Sequence, residues 1–377
     1  MQPSVNVPFG DLRRETDECG AQIRAGIDRV LESGWYVLGE ELQRFERGFS
    51  AYLGDAHVVG VGSGTEALHL ALVAAGVGPG DSVITVPNTA VPTVSAISAA
   101  GATPLLVDVD ARSLTMDPAQ LRQLVEREKP KLGPRLRAVV PVHLYGRLAD
   151  MDPIMQVARE FDIAVVEDAA QAHGAVRNGR RAGTIGDLGA FSFYPSKNLG
   201  CYGDGGAVVT ASGLAAENLR MLRNYGQKRR YYHEVKGVNS RLDELQAAIL
   251  SAKLPLLEGW TARRRRIAHM YDELITDAGV AKPFIDDSGE HVFHLYAIRH
   301  PDRDRLIAHL AQRGVGTATH YPVPIHLQHA YADLGLGPGA FPVAEAAASQ
   351  VVSLPIYPQL TDDEVAYVAQ SVDAFDG

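Results

Sequence analysis

Short apolar runs alternate with longer segments of helical periodicity through the first half of the chain. Between His57 and Thr210 there are seven such runs, each of strand length and rich in β-branched residues. Strands that alternate with helices pair in parallel through right-handed crossovers, and the resulting sheet needs helices on both faces. The alternation therefore predicts an α/β fold built on a large, mostly parallel sheet of seven strands.

The segments that flank this region predict two further parts. Residues 12–53 have apolar residues at helical spacing and predict two helices joined by the sequence GWYVLG. From about Asn239 a long helical pattern begins, and Pro255 interrupts it. We expect the domain boundary at this proline. An N-terminal segment and a large domain then occupy 1–254, and a small C-terminal α/β domain occupies 255–377.

The small domain is predicted from four weaker patterns. Two are strand candidates and two are helical, and they lie at 293–300, 315–322, 303–313 and 362–374. A run of arginines from Arg263 to Arg266 falls inside the preceding long helix, where a charge run usually marks a solvated face. The alternative is a functional role for this run, as a contact with an anionic substrate or with another subunit.

Charge and cysteine content exclude several classes of protein. The chain has 36 basic and 45 acidic side chains and a net charge of −9, so it has no positive field to hold a nucleic-acid backbone. Cys19 and Cys201 cannot form a disulfide framework, and no metal-ligand spacing is present. The uncharged stretch 82–107 contains three prolines and is not expected to span a membrane. The first residues lack the order of a signal peptide, and we expect a cytoplasmic protein.

Three polar features lie at the ends of predicted strands. The first is the sequence GVGSGTEAL at 60–68, a Gly-rich turn between a strand and a helix. Its backbone amides and the helix dipole could hold a phosphate, although a simple tight turn explains the glycines equally well. The sequence matches neither the dinucleotide-binding fingerprint nor a P-loop.

The second feature is an acidic residue at the carboxyl end of an apolar strand. Asp168 lies in the sequence IAVVEDAAQAHGA, at the sheet edge where open parallel sheets bind their ligands. The alternative is that Asp168 or Glu167 caps the next helix.

The third feature is a lone lysine, Lys197, in the sequence FSFYPSKNLGCYGDGGAVV. A single lysine is usually a solvated surface residue. Here Ser192, Ser196 and Asn198 lie beside it, and the four glycines that follow allow close backbone approach. A lysine that loses part of its hydration gives up its proton more easily and can act as a nucleophile or a base.

These three features together are what pyridoxal 5′-phosphate requires of a protein. The lysine binds the cofactor covalently, the carboxylate keeps the pyridine nitrogen protonated, and the turn holds the phosphate. The combination, in this order along the chain, is more specific than any one feature. The residues therefore indicate an enzyme that uses this cofactor.

On these and further motifs the chain resembles the DegT/DnrJ/EryC1/StrS family of sugar aminotransferases. The resemblance covers nearly the whole length, and the motifs are GWYVLGEELQRFE, GSGTEAL, VEDAAQAHGA, FSFYPSKNLG, LRNYGQ, GVNSRLDELQAAIL and HYPVPIHLQ. It implies the fold-type I architecture of aspartate aminotransferase, with pyridoxal 5′-phosphate as cofactor. It also implies a homodimer with shared active sites.

The resemblance also assigns roles to residues. Lys197 matches the Schiff-base lysine, which then carries the proton during catalysis. Asp168 matches the acid that pairs with the pyridine nitrogen, and Gln171 matches the residue beside the ring hydroxyl. The residues that match phosphate-binding positions are Ser63, Gly64, Thr65, Ser192 and Asn224. In this family the asparagine, here Asn224, comes from the neighbouring subunit.

One position departs from the family pattern, and two residues match the substrate end. Family members often have an aromatic residue after the second strand that stacks on the cofactor, whereas Ala90 stands here in a segment one residue shorter. His320 and Tyr321 resemble residues of the loop that approaches the sugar. The basic segment 228–230 is expected to meet a nucleotide diphosphate. His326 is expected to make a structural hydrogen bond.

The resemblance implies that an amino group moves from L-glutamate onto a keto group of a nucleotide-linked deoxysugar. The HYPVPIHLQ loop favours a 3-keto group slightly over a 4-keto group. A cyclitol aminotransferase is the near alternative, because the same motifs serve both, and a non-catalytic regulatory protein is the alternative from another class. Dehydration at C3 would need a histidine in place of Lys197. The presence of Lys197 and Asp168 favours the transaminase.

Overall fold

The fold is organised around a seven-stranded sheet. The computed structural model describes residues 6–285 and 288–376. The strands are β1 (His57–Val61), β2 (Ser82–Thr85), β3 (Thr103–Leu106), β4 (Leu136–Val139), β5 (Ala164–Asp168), β6 (Val176–Arg177), β7 (Arg180–Arg181), β8 (Leu188–Ser192), β9 (Gly206–Thr210), β10 (Gln227–Arg229), β11 (Tyr232–His233), β12 (Tyr296–Arg299) and β13 (Val351–Leu354). The helices are α1 (Leu12–Ser33), α2 (Glu40–Tyr52), α3 (Gly64–Ala74), α4 (Val91–Ala99), α5 (Pro118–Leu132), α6 (Met151–Glu160), α7 (Gly213–Leu222), α8 (Glu244–Lys253), α9 (Leu257–Leu274), α10 (Arg303–Gln312), α11 (Pro342–Gln350) and α12 (Asp362–Asp373).

The strand order in this sheet is β1-β9-β8-β5-β4-β2-β3. The five strands β8, β5, β4, β2 and β3 are parallel, and β9 is antiparallel to both of its neighbours. All seven predicted strands are present, so the prediction of a large, mostly parallel α/β sheet is confirmed.

Helices cover both faces of the sheet, as near-continuous apolar strands require. On one face α3, α4 and α7 contribute Leu68, Ile97 and Leu219 to a buried cluster. On the other face α2, α5 and α6 pack through side chains that include Phe45 and Ile154. Because both faces are covered, a ligand can reach the sheet only at its strand ends.

The strand register brings three loops to one edge of the sheet. Val61 and Ser192 both pair with Gly206, so the ends of β1 and β8 flank the start of β9. Asp168, at the end of β5, pairs with Ala190 of β8. The turn after β1, the end of β5 and the loop after β8 therefore lie side by side.

The two N-terminal helices form where they are predicted. Helix α2 has no capping side chain of its own at its N-terminus. The carboxylate of Glu244 in α8 takes that role, because it accepts hydrogen bonds from the amides of Gly39, Glu41 and Leu42 at 2.7, 2.8 and 3.3 Å. This contact fixes the N-terminal helices to the rest of the chain.

The predicted helix interruption at Pro255 is a single 3₁₀ turn, Leu254–Leu256, between α8 and α9. A second buried cluster begins in α9 with Ile267 and extends to Phe375, and Val7 joins it from the N-terminal segment. The division at 254–255 remains a prediction. Among the helices of the described chain, none is long and apolar enough to cross a membrane.

The small sheet differs from the prediction. Strand β12 lies within the predicted run 293–300, and α10 and α12 match the helical patterns. The prediction of a strand over 315–322 is wrong, because Val315 bridges to the N-terminal segment while Ala318 bridges to Ser353, so no continuous ladder forms. The partner of β12 is β13, in antiparallel register. Strand β13 was missed because it is four residues long and directly follows α11.

Candidate active site

A cavity of about 270 Å³ opens at the edge where these strand ends meet. It lies between the turn after β1, the end of β5, the loop after β8 and the first turn of α4. The predicted site residues that line it are Ser63, Gly64, Thr65, Asp168, Gln171, Ser192, Lys197 and Tyr321. Residues from distant parts of the sequence are thus brought to one site.

The turn after β1 leads directly into helix α3. Ser63 is the N-cap of α3, and its Oγ accepts a hydrogen bond from the amide of Glu66 at 3.2 Å. Gly64 permits a close approach to β8, since a Cβ at this position would lie 2.5 Å from the Cβ of Ser192. Thr65 and Ser192 line the cavity beside the positive end of the helix, an arrangement suited to a phosphate.

Asp168 is buried at the end of β5 and has two hydrogen-bond donors. Its Oδ2 accepts from the hydroxyl of Thr93 at 2.8 Å, and its Oδ1 accepts from the amide of Ala170 at 3.2 Å. Burial raises the pKa of this carboxyl, while Thr93, Ala170 and the nearby Lys197 oppose the shift. In the described chain no helix begins between β5 and β6, so the helix-capping alternative is wrong.

The neighbouring Glu167 faces away from the cavity and is fully buried. Its carboxylate accepts hydrogen bonds from three backbone amides of the turn 183–186, at 2.6 to 2.9 Å. It also pairs with Nε2 of His143 at 2.8 Å, and Nδ1 of that ring accepts from the amide of Ala149. The imidazole therefore donates through Nε2, and Glu167 anchors the strand that carries Asp168.

The loop after β8 carries Lys197 into the cavity. Its backbone amide donates to the carbonyl of Tyr194 at 2.8 Å, and Gly200 allows the chain to fold back, since a Cβ there would lie 2.4 Å from the oxygen of Pro195. Burial lowers the pKa of the Lys197 amine to about 8, and the charge of Asp168 opposes this shift. A minority of the amine is therefore neutral near pH 7, and this neutral form can act as a nucleophile or a base.

Gln171 links the cavity to the loop at 320–321. Its side-chain oxygen accepts from the amide of Tyr145 at 2.6 Å, and its nitrogen donates to the hydroxyl of Tyr321 at 3.1 Å. Tyr145 in turn donates its hydroxyl to the carbonyl of His320. His320 does not line this cavity but lines a second one on the other side of Lys197.

Two further predictions have different outcomes. His326 is buried and bonds Glu345 through Nε2 at 3.0 Å, so the expected structural hydrogen bond is confirmed. Asn224 lies outside the cavity, where its Oδ1 accepts from Arg241 at 3.2 Å. Its role in the site of a neighbouring subunit stays a prediction. Ala90, at the departure from the family pattern, does line the cavity.

Thr93 is a site residue that the sequence analysis missed. It lies in the first turn of α4, is buried, and bonds both Asp168 and the hydroxyl of Thr89. The available signal was a hydroxyl residue in the first turn of a helix that begins at the ligand-binding edge of the sheet. That signal is weak, because several Ser and Thr residues occupy the same stretch.

The donor set of the cavity fits pyridoxal 5′-phosphate. A hydroxyl-rich helix N-terminus matches the phosphate, a buried carboxylate matches the ring nitrogen, and a lysine with a lowered pKa matches the aldehyde. A Cβ at Gly64 would collide with Ser192, a residue of the cavity wall. The glycine therefore leaves the space at the helix N-terminus free for the phosphate.

Comparison with known proteins agrees with this assignment. A model of the DegT/DnrJ/EryC1/StrS aminotransferase family matches residues 17–373. The dTDP-3-amino-3,4,6-trideoxy-alpha-D-glucose transaminase of Streptomyces venezuelae is 48% identical, over 97% of this chain and 95% of that protein. The erythromycin biosynthesis sensory transduction protein EryC1 of Saccharopolyspora erythraea is 47% identical, over 98% of this chain and all of that protein.

Solved structures show the same architecture. The crystal structure of S. venezuelae DesV superimposes with a TM-score of 0.93 at 47% identity, and the match covers 98% of both chains. The fold-type I prediction is thereby confirmed.

Proposed function

Because the chain belongs to the DegT/DnrJ/EryC1/StrS aminotransferase family, we propose that it moves an amino group from L-glutamate onto the C3 keto group of a nucleotide-linked deoxysugar. The chain is an aminotransferase whose cofactor is pyridoxal 5′-phosphate. The observation that carries the proposal is that Lys197 and Asp168 share one cavity with the N-terminus of α3. The S. venezuelae relative, named for a 3-amino deoxysugar, supports C3 as the position.

Lys197 is the group that moves protons in this proposal. When bound, the cofactor supplies an electron-withdrawing ring that takes up the electron pair released as a C–H bond breaks. The neutral Nζ of Lys197 removes the proton from the α-carbon of glutamate, which leaves as a keto acid when water supplies its carbonyl oxygen and its nitrogen stays behind. In the second half-reaction the keto oxygen of the sugar leaves as water, and Lys197 returns a proton to the sugar carbon that gains the nitrogen. Proton transfer by a positioned base contributes about 10²–10⁴ to the rate.

Asp168 is the group that holds the ring nitrogen in its protonated form. Burial alone favours a neutral carboxyl, so the ionised form depends on the Thr93 hydroxyl, the Ala170 amide and a cation close by. A protonated ring nitrogen would be such a cation. Thr93 keeps the carboxylate turned toward the cavity, which makes it a positioning residue rather than a catalytic one.

The diphosphate of the sugar nucleotide is assigned to the basic hairpin of β10 and β11. Lys228, Arg229 and Arg230 are all exposed there, which suits a polyanionic ligand that is partly in solvent. Asn224 lies just before this hairpin and does not line the cavity of its own chain. We propose that both serve the neighbouring site of a homodimer.

Exposed aromatic residues, three of them in or beside this hairpin and two in the loop between α1 and α2, support a subunit contact. Trp35, Tyr36, Tyr225, Tyr231 and Tyr232 are 63, 50, 49, 75 and 59% exposed. Large aromatic side chains are enriched at protein interfaces. We also infer a cytoplasmic location, since both cysteines are free and buried, as is usual in a reducing compartment.

The proposed function is tested by following the nitrogen. The enzyme is incubated with ¹⁵N-labelled L-glutamate and, separately, a dTDP-linked 3-keto-6-deoxyhexose and its 4-keto isomer. We expect the label on C3 of the first sugar, seen by NMR as a new nitrogen–carbon coupling. Efficient turnover of the 4-keto isomer with none of the 3-keto isomer contradicts the position. A keto-inositol accepted in place of both sugars supports the cyclitol alternative instead.

A regulatory role is the second candidate, because the S. erythraea relative carries a sensory transduction name. A scaffold that has lost catalysis has no need of a lysine with a lowered pKa beside a buried carboxylate, and this chain retains both. The same labelling experiment separates the two, since a non-catalytic protein transfers no label.

A further inference from the structure

A second cavity, of about 410 Å³, shares Lys197 with the cofactor cavity. Its walls are the N-terminal segment 9–15, the loop 195–197, residues 356–359 and the side chains of Arg264 and His294. We propose that this cavity receives a carboxylate of the amino donor, with Arg264 as its cationic wall. The inference rests on the proposed function, because it concerns the donor of that reaction.

Arg264 is unusual among the arginines of α9. The prediction of a solvated face for the run 263–266 is wrong for this residue, which is only 6% exposed. Its Nη1 donates to the carbonyls of Phe293, His294 and Ile356 at 3.2, 3.4 and 2.7 Å, and its hydrogen bonds to the described residues are made by this one nitrogen. Its Nε is buried and has no hydrogen-bond partner there.

The guanidinium also has no direct ion pair, because no Asp or Glu oxygen of the described chain lies within 4.0 Å of Arg264. Burial lowers its pKa to about 10, and the more distant charge of Glu15 opposes this shift. A buried charge that is neither paired nor fully hydrogen-bonded is costly. Because Nη1 is occupied and Nε is buried, Nη2 is the nitrogen of the guanidinium left for a ligand. A guanidinium N–H is a strong donor to a carboxylate oxygen.

The other charged groups at this cavity are already compensated. Asp11 accepts from the amides of Arg13 and Arg14 at the start of α1. Glu15 pairs with the fully buried Lys253 at 2.5 Å. Glu15 is therefore committed to Lys253, and Arg264 has no ion-pair partner within 4.0 Å in the described chain.

The two histidines at this cavity carry no charge near neutral pH. Burial lowers the pKa of His320 to about 4, and it lowers the pKa of His294 well below its ordinary value. The cavity therefore presents the guanidinium of Arg264, without a direct ion pair, beside Lys197, the residue that handles the α-proton of the donor.

A carboxylate suits this cavity better than the diphosphate of the acceptor. The cavity offers one buried guanidinium, whereas the exposed basic hairpin offers Arg229 and Arg230, together with Lys228, whose exposed pair with Glu234 is 3.6 Å long, to a group of higher charge. The two anions have different sources, and separate probes distinguish them. Glutarate has both carboxylates of glutamate and no amino group, so it binds without reacting. The nucleotide dTDP has the diphosphate and no carboxylate.

The test fills the cavity with a side chain introduced at an exposed position, so that no buried residue is replaced. Gly10 lines the cavity and is exposed, and a Cβ at this position would have no neighbour within 4 Å. Gly10→Phe should therefore fill the cavity with the fold intact. Gly337→Phe is the matched control, because Gly337 is equally open and does not line the cavity. Arg264→Gln is the second variant, used once its thermal unfolding shows that it folds.

Calorimetric titration of the cofactor-loaded enzymes with glutarate and with dTDP gives the readout. We expect wild type and Gly337→Phe to bind glutarate equally, and Gly10→Phe and Arg264→Gln to bind it about tenfold or more weakly, as loss of a charged partner requires. Binding of dTDP should be the same in all four proteins. Glutarate binding that does not change in Gly10→Phe, or a loss of dTDP binding in its place, overturns the inference.

These outcomes are separate from those of the proposed function. If glutarate binding is lost as expected while no keto sugar accepts label from glutamate, the carboxylate site stands and the acceptor assignment fails. If label is transferred while Gly10→Phe binds glutarate normally, the function stands and the carboxylate site is wrong.

Discussion

Burial shifts the pKa values of Lys197 and Asp168 in opposite directions, and in both cases it favours the neutral form. The lysine becomes easier to deprotonate, and the acid becomes harder to ionise, while each opposes the shift of the other. A neutral amine and an ionised acid are the forms that the proposed chemistry needs. The pair therefore depends on the hydrogen bonds that hold the carboxylate, chiefly the one from Thr93.

The first prediction concerns the pH dependence of cofactor capture by Lys197. Only the neutral amine attacks an aldehyde, so the rate at which cofactor-free enzyme captures pyridoxal 5′-phosphate should rise about tenfold per pH unit below pH 8 and level off above it. Stopped-flow absorbance measures this rate. Asp168→Asn removes the charge that raises the lysine pKa, so its profile should shift to lower pH. A midpoint near the ordinary lysine value contradicts the account.

The second prediction concerns Asp168 in catalysis. Asp168→Asn keeps the size of the side chain but cannot stabilise a positive ring nitrogen, so single-turnover rates of both half-reactions should fall about 10²-fold or more. Cofactor retention should change much less, because the contacts at α3 remain. Thr93→Ser, which keeps the hydroxyl, should stay near wild type, and Thr93→Val should fall between. Wild-type rates in Asp168→Asn would refute the assignment.

Strand β5 is held in place by a buried polar network rather than by apolar packing alone. Glu167 bonds the turn 183–186 and His143 at the same point where Asp168 turns toward the cavity. Alternation along the strand places the two acids on opposite sides. One acid therefore fixes the backbone, and the other faces the ligand.

The third prediction is that Glu167→Ala destabilises the fold by about 3–5 kcal/mol, because three amides and an imidazole lose a buried acceptor. Chemical denaturation at a fixed protein concentration measures the change. Glu160→Ala is the control of the same residue type, since Glu160 pairs with Arg122 on the exposed face of α6. The control should unfold like wild type. Equal stability of both variants would show that the network contributes nothing.

The seven strands could be predicted because each is an uninterrupted apolar run between turn signals. Strand β13 could not, since a four-residue run directly after a helix has no separate period to recognise. Lys197 and Asp168 were identifiable from their place at strand ends. The inward turn of Arg264 was not, because four consecutive arginines do not show which one faces the core. The placement of the Thr93 and Arg264 side chains depends on packing between elements that are distant in sequence, which a local pattern does not show.

We propose that the complete molecule is a homodimer in which the neighbouring chain supplies Asn224 and the basic hairpin, since neither lines the cavity of its own chain. A two-fold interface is self-complementary, so both sites of a homodimer share one arrangement. The fourth prediction follows from this symmetry. An inactive Lys197→Ala chain mixed with an impaired Asn224→Ala chain should regain about a quarter of wild-type activity after random exchange, since half of the dimers contain one intact site.

The mixing experiment has two requirements. Asn224→Ala must be strongly impaired alone, and subunit exchange must be shown independently, for example by native mass spectrometry. No recovery despite exchange would mean that Asn224 acts within its own chain or that the assembly has a different symmetry.

Borohydride reduction of the cofactor-loaded enzyme, followed by peptide mass spectrometry, locates the lysine that binds pyridoxal 5′-phosphate. The account predicts a phosphopyridoxyl group on the peptide that contains Lys197 and none on Lys253, the fully buried lysine whose amine is bonded to Glu15 and Gly200. The Lys197→Ala variant should carry no such group. A label on any other lysine, or an unlabelled wild-type protein, would contradict the assignment of this cavity as the active site.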